Sequence, residues 1–428
     1  MMAGQSRTAE IRALARHDEA SALALLSGLL EDLFGLEASN LAINHDQYSL
    51  NSLNGFFDTR DGAFFFKFHQ EEGEEDMRGE YYRAEILEKA GLPVDMPVHL
   101  SVQPGEQILI YRRRSDLRFS DVLRKLDLAP DEDAEARARA AEAGLNRQLL
   151  SVSRRTLHPV TPDEVAREPI HRLFHERLID PRTGAFPGGR YRNFYVGQRF
   201  AFPGAVLDWA EFSAARFVIN GTPYRSSIGE LFEAAAESLH PSKLAASGGI
   251  VAHGDAHNAN VWYEERHSSP RLVFFDPAFA GHHVPSLLAE IKSTFHNILA
   301  HPFWLYDPDL AARHFSAHAS HADGQLEIRT DWQPSRVRRD LLAVKAEEFW
   351  RPWLKELKDR SMLQPDWRRT MRLALFLCPT LVMNLRAGAG GHNETSSLIG
   401  FAMSMMAGSE PETGHDMICD FLDGIDPG

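Results

Sequence analysis

The spacing of apolar residues changes along the chain and divides it into two parts. Leucines recur every three or four positions over Ala20–Phe34, which predicts an amphipathic helix. Over Ala63–His69 successive side chains alternate between two faces instead, so that Phe64, Phe66 and Phe68 share one face of a predicted strand. Short strands continue to about residue 112, and helical spacing predominates afterwards. The pattern therefore predicts an α+β chain with a β-rich first part and a mostly helical second part.

Cap and turn residues set the bounds of the other predicted elements. A helix over Arg78–Ala90 ends at Gly91, with Pro93 beyond it as a normal stop signal. The remaining predictions are strands at Val98–Val102 and Gln107–Tyr111, helices at Phe119–Leu126, Asp133–Leu150, Leu207–Val218 and Ile228–Leu239, and a core helix at Leu373–Leu385. We expect an amino-terminal lobe over residues 1–112 and a helical lobe over residues 113–428.

A cluster of polar residues interrupts short apolar runs between Gly248 and Ala280. Val261–Tyr263 and Leu272–Phe275 are separated by turn-forming residues, which predicts a β-hairpin. Because a hairpin brings its two ends together, Asn260 and Asp276 are expected to lie side by side, with Asp255 on a loop that faces them.

These three side chains predict a particular chemistry. Asn260 and Asp276 offer oxygen atoms to a hard divalent cation, and Asp255 is a carboxylate that can accept a proton. A cation site beside such a carboxylate suits the transfer of a phosphoryl group from a nucleotide.

The motif His253-Gly254-Asp255-x-His257-x-x-Asn260, followed by a strand that ends in Asp276, resembles the catalytic segment of the aminoglycoside phosphotransferase and choline kinase group. These are small-molecule kinases of the protein-kinase-like fold, with ATP held between a small β-rich lobe and a large helical lobe. The resemblance implies that Asp255 acts as the catalytic base and that Asn260 and Asp276 hold Mg²⁺. It also implies that His253 and His257 support the loop.

A lysine in the Phe-rich strand is the candidate for nucleotide binding. Burying Lys67 among aromatic residues is costly without a partner, and the helix after it is similar to the helix that carries the partner of the strand lysine in this kinase group. The resemblance therefore pairs Lys67 with Glu80, and Glu85 is the alternative. A turn rich in Ser, Asn and Gly, which includes Ser52 and Asn54, is expected to direct backbone N–H groups at the nucleotide phosphates.

The chain departs from the family pattern at two places. Ser52-Leu53-Asn54 stands where the phosphate loop of the family begins with glycine, and Leu287 stands where relatives commonly have an aspartate that supports the catalytic loop. We expect His282 or His283 to provide this support. The acceptor is expected to be a sugar, an amino alcohol or an aminoglycoside-like molecule. Three segments are candidates for contacting it: Phe186–Tyr195, Ile291–Tyr306 and Arg386–Glu394.

Two other functions fit the same residues. His253, Asp255 and His257 alternate as metal ligands do, which is compatible with a zinc hydrolase, although this leaves Asn260 and Asp276 without a role. A nucleotide-binding pseudokinase that acts through partner proteins is the second alternative.

Composition limits the partners and the compartment. With 46 basic and 60 acidic residues the net charge is −14, so we expect neither nucleic acid nor an anionic membrane as a partner, and a cationic acceptor is weakly favoured. The two cysteines are too few for a disulfide framework, and the charged amino terminus does not resemble a secretion signal. These features predict a cytoplasmic protein, whose oligomeric state the sequence leaves open.

Overall fold

The computed structural model describes residues 6–44, 52–69, 83–265 and 269–428. The chain forms two compact units. Unit 1 comprises Met1–Glu85 and Val94–Asp116, and unit 2 comprises Ile86–Pro93 and Leu117–Gly428. The lobe boundary after residue 112 stays a prediction, since the units themselves change between residues 116 and 117.

Unit 1 contains an antiparallel sheet and two leading helices. The helices are α1 (Arg7–Leu14) and α2 (Glu19–Phe34), and the strands are β1 (Ser39–Ile43), β2 (Ser52–Thr59), β3 (Gly62–His69), β4 (His99–Ser101) and β5 (Ile108–Arg112). The strand order is β1-β2-β3-β5-β4. Helix α3 (Arg83–Ala90) begins at the end of one unit and continues into the other along the chain.

The predicted Phe-rich face of β3 is confirmed. Phe64, Phe66 and Phe68 are each at most 2% exposed and belong to one apolar cluster with Leu26 and Leu30 of α2. Full burial of such a side chain stabilises the fold by about 1.5–3 kcal/mol. The alternation in sequence therefore correctly predicts which face of β3 packs against α2.

The turn predicted around Ser52 and Asn54 is wrong for the described residues. Both lie in β2, which pairs with β3 so that Asn54 is opposite Lys67. Asn54 is buried and its Oδ1 accepts a hydrogen bond from Asn44 Nδ2 at 3.0 Å. Cross-strand pairing thus overrides the turn propensity of Ser, Asn and Gly in this segment. The start of the predicted turn, Ser49–Asn51, lies outside the described residues.

Unit 2 is mostly helical. Its helices are α4 (Phe119–Leu128), α5 (Glu132–Thr156), α6 (Pro162–Ala166), α7 (Gly189–Tyr195), α8 (Trp209–Ala214), α9 (Ile228–Ser238), α10 (Pro241–Leu244), α11 (Ile291–Thr294), α12 (Pro308–His314), α13 (Arg336–Lys345), α14 (Arg351–Asp359), α15 (Trp367–Val382), α16 (Glu394–Gly408) and α17 (Met417–Gly424). Short 3₁₀ helices lie at Pro169–Leu173, His175–Arg177, Ala245–Ser247 and Asn258–Asn260, and π-helical turns at Phe295–Leu299 and Ala346–Trp350. With the sheet of unit 1, this confirms the predicted α+β class.

The strands of unit 2 form small separate sheets. They are β6 (Leu117–Arg118), β7 (Arg199–Phe202), β8 (Ala205–Asp208), β9 (Arg216–Ile219), β10 (Thr222–Pro223), β11 (Gly249–Ala252), β12 (Val261–Glu264), β13 (Arg271–Phe274), β14 (Gly281–Pro285), β15 (Ala317–Ala322) and β16 (Gln325–Thr330). The sheet orders are β10-β9-β16-β15, β13-β12-β6, β11-β14 and β7-β8.

The helix predicted at Leu207–Val218 is wrong in its extent. Asp208 caps a new helix at that point, because its side chain accepts a hydrogen bond from the backbone N–H of Glu211, whose side chain accepts one in return. The helix ends at Ala214, and β9 begins at Arg216 and pairs in parallel with β16 about a hundred residues later. Pairing with a distant strand is a signal that local spacing does not contain.

The core helix predicted at Leu373–Leu385 corresponds to α15, which begins earlier, at Trp367, and ends at Val382, before the last three residues of the predicted range. Its residues from Thr370 to Leu381 are buried, and Pro379 lies near its last turn. Within the described ranges, no helix combines the length and the apolar character needed to span a membrane.

Candidate functional site

The predicted hairpin is confirmed, and it positions the polar cluster. Strands β12 and β13 are antiparallel with Val261 opposite Phe274. One residue beyond this pair, the backbone N–H of Phe275 donates to Asn260 O at 3.0 Å. Asn260 and Asp276 are therefore held at the same end of the hairpin, as the sequence predicted.

Two residues of the site have left-handed backbone. Asp276 has φ +53° and Gly254 has φ +77°. A Cβ atom on Gly254 would lie 2.5 Å from Phe279 O, so a glycine is required both by the dihedral angle and by the close approach of the two chain segments. Asp tolerates this region of backbone angles better than most residues do.

Backbone and side-chain hydrogen bonds fix the loop from Asp255 to Asn260. Asp255 O accepts from His257 N at 2.9 Å and from Asn260 Nδ2 at 3.1 Å, and His257 O accepts from Asn260 N at 2.7 Å. Because the amide nitrogen of Asn260 is used inside the loop, its Oδ1 is left for another partner. The loop thus presents one carboxylate and one amide oxygen from a closed turn.

His253 lies beneath this loop and is fully buried. Its Nε2 is 3.0 Å from Phe275 O, so this nitrogen carries the proton, and its Nδ1 accepts from Asp255 N at 3.3 Å. Burial lowers the pKa of the imidazole, which is therefore neutral at pH 7. Both ring nitrogens are engaged with backbone, which is the geometry that a loop-supporting residue needs.

The carboxylate of Asp255 has a cationic partner that the sequence reasoning missed. Lys292 Nζ, on α11, lies 2.7 Å from Asp255 Oδ1, with the two side chains 6% and 12% exposed. The contact is an ion pair, and it leaves Oδ1 without a well-formed hydrogen bond. Burial alone raises the pKa of Asp255, but the charges of Lys292 and then His257 outweigh it and hold this pKa well below its usual range.

Two histidine rings lie beside the pair. His257 Nε2 is 3.9 Å from Asp255 Oδ1, and burial lowers the pKa of His257 to about 4, so the ring is neutral at pH 7. His296, whose ring centre is 5.9 Å from that of His257, has Nδ1 at 2.5 Å from Tyr306 Oη. The other nitrogen of His296 is buried without a hydrogen-bond partner among the described residues.

The loop obtains its support from a helix later in the chain. The backbone N–H of Asn258 donates to Asn297 Oδ1 at 2.7 Å, and Arg338 donates to the carbonyl oxygen of Asn297. Arg338 is itself held by a fully buried ion pair with Asp127, 2.6 Å between Nη2 and Oδ2. This connects α4 and α13 to the loop through the π-helical turn that contains Asn297.

The expectation that His282 or His283 would replace the missing aspartate is therefore wrong. His283 instead contacts His158, with 2.9 Å between ring nitrogens, and its backbone N–H donates to Glu168. His282 is an exposed residue of β14. Leu287 is 1% exposed and lies in the apolar core. The side-chain amide of Asn297, in the π-helical turn Phe295–Leu299, provides the support that the family pattern assigns to an aspartate at the position of Leu287.

The candidate nucleotide residues belong to unit 1 and to α3. Lys67 is partly exposed on β3, between Asn54 of β2 and Leu109 of β5 in the strand register. Glu80 lies outside the described residues, and the alternative partner, Glu85, lies in the first turn of α3. The pairing of Lys67 with either carboxylate stays a prediction.

One sequence signal could have identified Lys292. It is the basic residue in the stretch Leu287-Leu288-Ala289-Glu290-Ile291-Lys292, whose side chains are otherwise apolar or acidic, followed by more buried residues. The reasoning applied to Lys67, that a lysine among apolar residues needs a partner, applies equally here.

Comparisons with known proteins found similarity in structure but not in sequence. No protein-family model matches the chain, and no curated protein matches it. A spectinomycin phosphotransferase, APH(9)-Ia, solved with ADP and spectinomycin, is 12% identical with a TM-score of 0.38, over 89% of this chain and 98% of that one. A macrolide 2′-phosphotransferase, MphH from Brachybacterium faecium, is 15% identical with a TM-score of 0.38, over 92% and 100%.

A third solved structure, a microcompartment-associated aminopropanol kinase, is 11% identical with a TM-score of 0.40, over 98% of this chain and 99% of that one. All three are named as kinases or phosphotransferases, the group that the motif around Asp255 resembles. At these identities and scores, the function of this chain has to be argued from its own residues.

Proposed function

We propose that this protein is a small-molecule kinase that transfers the terminal phosphoryl group of ATP, with Mg²⁺, to a hydroxyl group of a small acceptor. The observation that supports this most is the closed loop that holds the buried Asp255 and contains Asn260, with Asp276 at the same end of the hairpin as Asn260. Phosphoryl transfer needs positioning and charge neutralisation more than covalent chemistry, and these groups supply both.

Asn260 and Asp276 fit a hard cation. Their donors are oxygen atoms, and the amide nitrogen of Asn260 already donates within the loop, which leaves its oxygen as the group that can bind an ion. Mg²⁺ takes one or two protein oxygens and completes its shell with water and phosphate oxygens. When bound, the ion neutralises charge on the transferred phosphoryl group.

Asp255 receives the acceptor. The acceptor oxygen forms a bond to the terminal phosphorus, the bond from that phosphorus to the bridging oxygen breaks, and the hydroxyl proton passes to the Asp255 carboxylate. A carboxylate whose pKa is held low is a weak base, so its main contribution is to orient the hydroxyl through a hydrogen bond. Lys292 keeps the carboxylate charged and fixes its rotamer.

The nucleotide contacts are proposed from the resemblance. Lys67, held by Glu80 or Glu85, binds the phosphates of ATP. Ser52 and Asn54, at the start of β2, are proposed to contact the same phosphates. His253 and His257 support the loop rather than take part in the chemistry. The two free cysteines, Cys378 and Cys419, fit a reducing compartment such as the cytoplasm.

The hydrolase alternative is disfavoured by the site. Both ring nitrogens of His253 are hydrogen-bonded to backbone, so neither can bind a metal together with Asp255 and His257. Among the described residues, no group of three or more His, Cys, Asp or Glu side chains could hold a metal ion. A zinc site of the usual kind requires such a group.

A nucleotide-binding pseudokinase remains the second candidate, because of one observation. The ion pair between Lys292 and Asp255 occupies the carboxylate that an acceptor hydroxyl has to meet. If no acceptor displaces or shares this contact, ATP binds without transfer.

The Asp255→Asn variant separates these two functions. It keeps the shape of the side chain and removes its charge, while Lys67, Asn260 and Asp276 still bind Mg-ATP. After a metabolite library has been screened for acceptor-dependent ADP formation, we expect the variant to bind Mg-ATP with near-normal affinity and to turn over about 10²–10⁴-fold more slowly than the wild type. Near-normal turnover of the variant would show that Asp255 is not catalytic. Mg-ATP binding without transfer to any acceptor in the wild type would favour the pseudokinase.

A further inference from the structure

Two arginines converge on one carbonyl oxygen in the part of unit 2 that contains Asp255. Arg177 ends a short 3₁₀ helix, and Arg190 lies in the first turn of α7. The Nη1 atoms of both donate to Leu381 O, each at 3.1 Å, and Arg190 Nη1 also donates to Val382 O at 2.9 Å. The two guanidinium groups therefore lie side by side at the end of α15.

Capping the carboxyl terminus of α15 explains one of these cations but not both. A positive charge is favourable beside the last carbonyls of a helix, and Arg190, which binds two of them, is sufficient for that. Arg177 adds a second charge on the same oxygen. Within the described residues, no carboxylate lies within ion-pair distance of Arg177, and the neighbouring Arg190 repels it.

The arginine pair belongs to the surroundings of Asp255. Helix α15, whose last carbonyls the two arginines bind, packs against helix α11, and Lys292 of α11 is the ion-pair partner of Asp255. Burial, followed by the repulsion from Arg190, lowers the pKa of Arg177 to about 9, so this guanidinium gains from any anion that reaches it.

The charges around Asp255 do not suit a cationic acceptor. Lys292 neutralises Asp255, and His257 and His296 are neutral at pH 7 because burial lowers the pKa of each. Because the proposed function assigns Asp276 to Mg²⁺, the positive charge of Arg177, which no described carboxylate pairs with, is left near Asp255. An amine would meet repulsion there, even though the whole chain has a net charge of −14.

We propose that the acceptor carries an anionic group, a carboxylate or a phosphate, which Arg177 binds next to Arg190 while the acceptor hydroxyl lies against Asp255. This inference rests on the proposed kinase function and narrows its acceptor to hydroxy acids, sugar acids and sugar phosphates. Both arginines are partly exposed, and a guanidinium matches the geometry of a carboxylate or phosphate through two parallel N–H donors.

The first test compares acceptors that differ in one charged group. ADP formation from Mg-ATP is measured with gluconate, glucose and glucosamine. We expect gluconate to be used with a kcat/KM at least about tenfold above that of glucose, and glucosamine to be the poorest, because a charge-assisted hydrogen bond is made only by the acid. Equal or better use of glucose or glucosamine would overturn the inference.

The second test changes Arg177. In Arg177→Gln the KM for gluconate is expected to rise by about tenfold to a hundredfold while kcat stays within about twofold, and Arg177→Lys should retain part of the affinity. Arg182→Gln, an exposed arginine five residues later, is the matched control and should leave both constants unchanged. An unchanged preference for the acid in Arg177→Gln would contradict the role of this residue.

A third measurement needs neither turnover nor a variant, since Arg177→Gln can also weaken α15. Phenylglyoxal modifies accessible arginines, and peptide mapping reports the labelling of Arg177 in the wild type. Gluconate and inorganic phosphate should slow this labelling, whereas glucose at the same ionic strength should not. Equal labelling in all three would overturn the anion site. Protection by the anions without ADP formation from any acceptor would keep the anion site and refute the kinase function.

Discussion

The loop around Asp255 and the strand that contains Lys67 represent two ways in which a chain places a charged side chain. The loop fixes the backbone of Asp255 with hydrogen bonds from His257 and Asn260, and an ion pair to Lys292 holds its carboxylate. Lys67 lies within the regular strand β3, and its position is set by the pairing of β3 with β2 and β5. The comparison shows that the motif specifies the hydrogen bonds within its own loop, whereas the strand specifies the position of Lys67 but not its partner.

The largest effect is expected at the metal position of the loop region. Asp276→Asn removes the stronger oxygen ligand for a hard cation, so magnesium-dependent affinity for ATP should fall by about a hundredfold or more. Calorimetric titration with ATP at several magnesium concentrations measures this. Asn260→Ala should act in the same direction with a smaller effect. Equal Mg-ATP affinity in wild type and Asp276→Asn would show that Asp276 does not bind the metal.

Replacing Lys292 tests what the ion pair contributes to the loop. In Lys292→Met, burial is no longer opposed by the main positive charge, so the pKa of Asp255 rises. Because the reaction needs the charged carboxylate, turnover is lost as pH falls through that raised pKa, whereas the wild-type profile should show no Asp255 limb above about pH 5. We therefore expect the variant to lose turnover on acidification at a higher pH than the wild type does.

The pH–rate profiles of both proteins, taken with saturating Mg-ATP, provide the measurement. Lys292→Arg keeps the charge and should restore the flat profile in part. Identical profiles for wild type and Lys292→Met would mean that the ion pair has no influence on the carboxylate during turnover.

On the strand side of the comparison, Lys67→Met should weaken nucleotide binding by about tenfold without unfolding the sheet, since methionine fills a similar volume. Thermal-shift titration with Mg-ATP should give a smaller stabilisation than in wild type. Glu80→Gln and Glu85→Gln, measured alongside, identify the partner of Lys67: the carboxylate whose loss reproduces the smaller shift is the one that holds it. If all three variants show the same thermal shift with Mg-ATP as the wild type, Lys67 does not bind the nucleotide.

The smallest effect concerns the close approach at Gly254. Gly388 has the same φ of +77°, but no atom lies within 4 Å of the position that a Cβ atom would take there, so it is the matched control. Gly254→Ala should lower Tm by about 2–4 °C more than Gly388→Ala, because its methyl group meets Phe279 O at 2.5 Å. Equal losses in Tm would show that the dihedral angle alone is responsible.

The parts of the structure that were predictable are those with a short period or a short motif. The alternation in β3, the leucine spacing in α2 and the hairpin at Val261–Phe274 all follow from neighbouring residues. The placement of Asn260 and Asp276 at one end follows from the same hairpin. In each case the interacting residues are near one another in the chain.

The parts that were not predictable depend on contacts between distant residues. Lys292 comes well after Asp255 in the chain, and Arg338 lies farther still from the loop that it supports through Asn297. The start of the strand Ser52–Thr59, around Ser52 and Asn54, was predicted as a turn because its composition favours one, and pairing with β3 prevailed. A single sequence does not reveal which distant side chain completes a buried pair.

The dependence of the loop on Arg338 has a consequence for biosynthesis. The loop leaves the ribosome about eighty residues before Arg338 does, and domains form as their chains emerge. During that interval the loop has its complete motif but lacks the support that passes from Asp127 through Arg338 to Asn297. A chain that is released or cleaved before Arg338 therefore carries every residue of the motif without the helix that holds the motif in place.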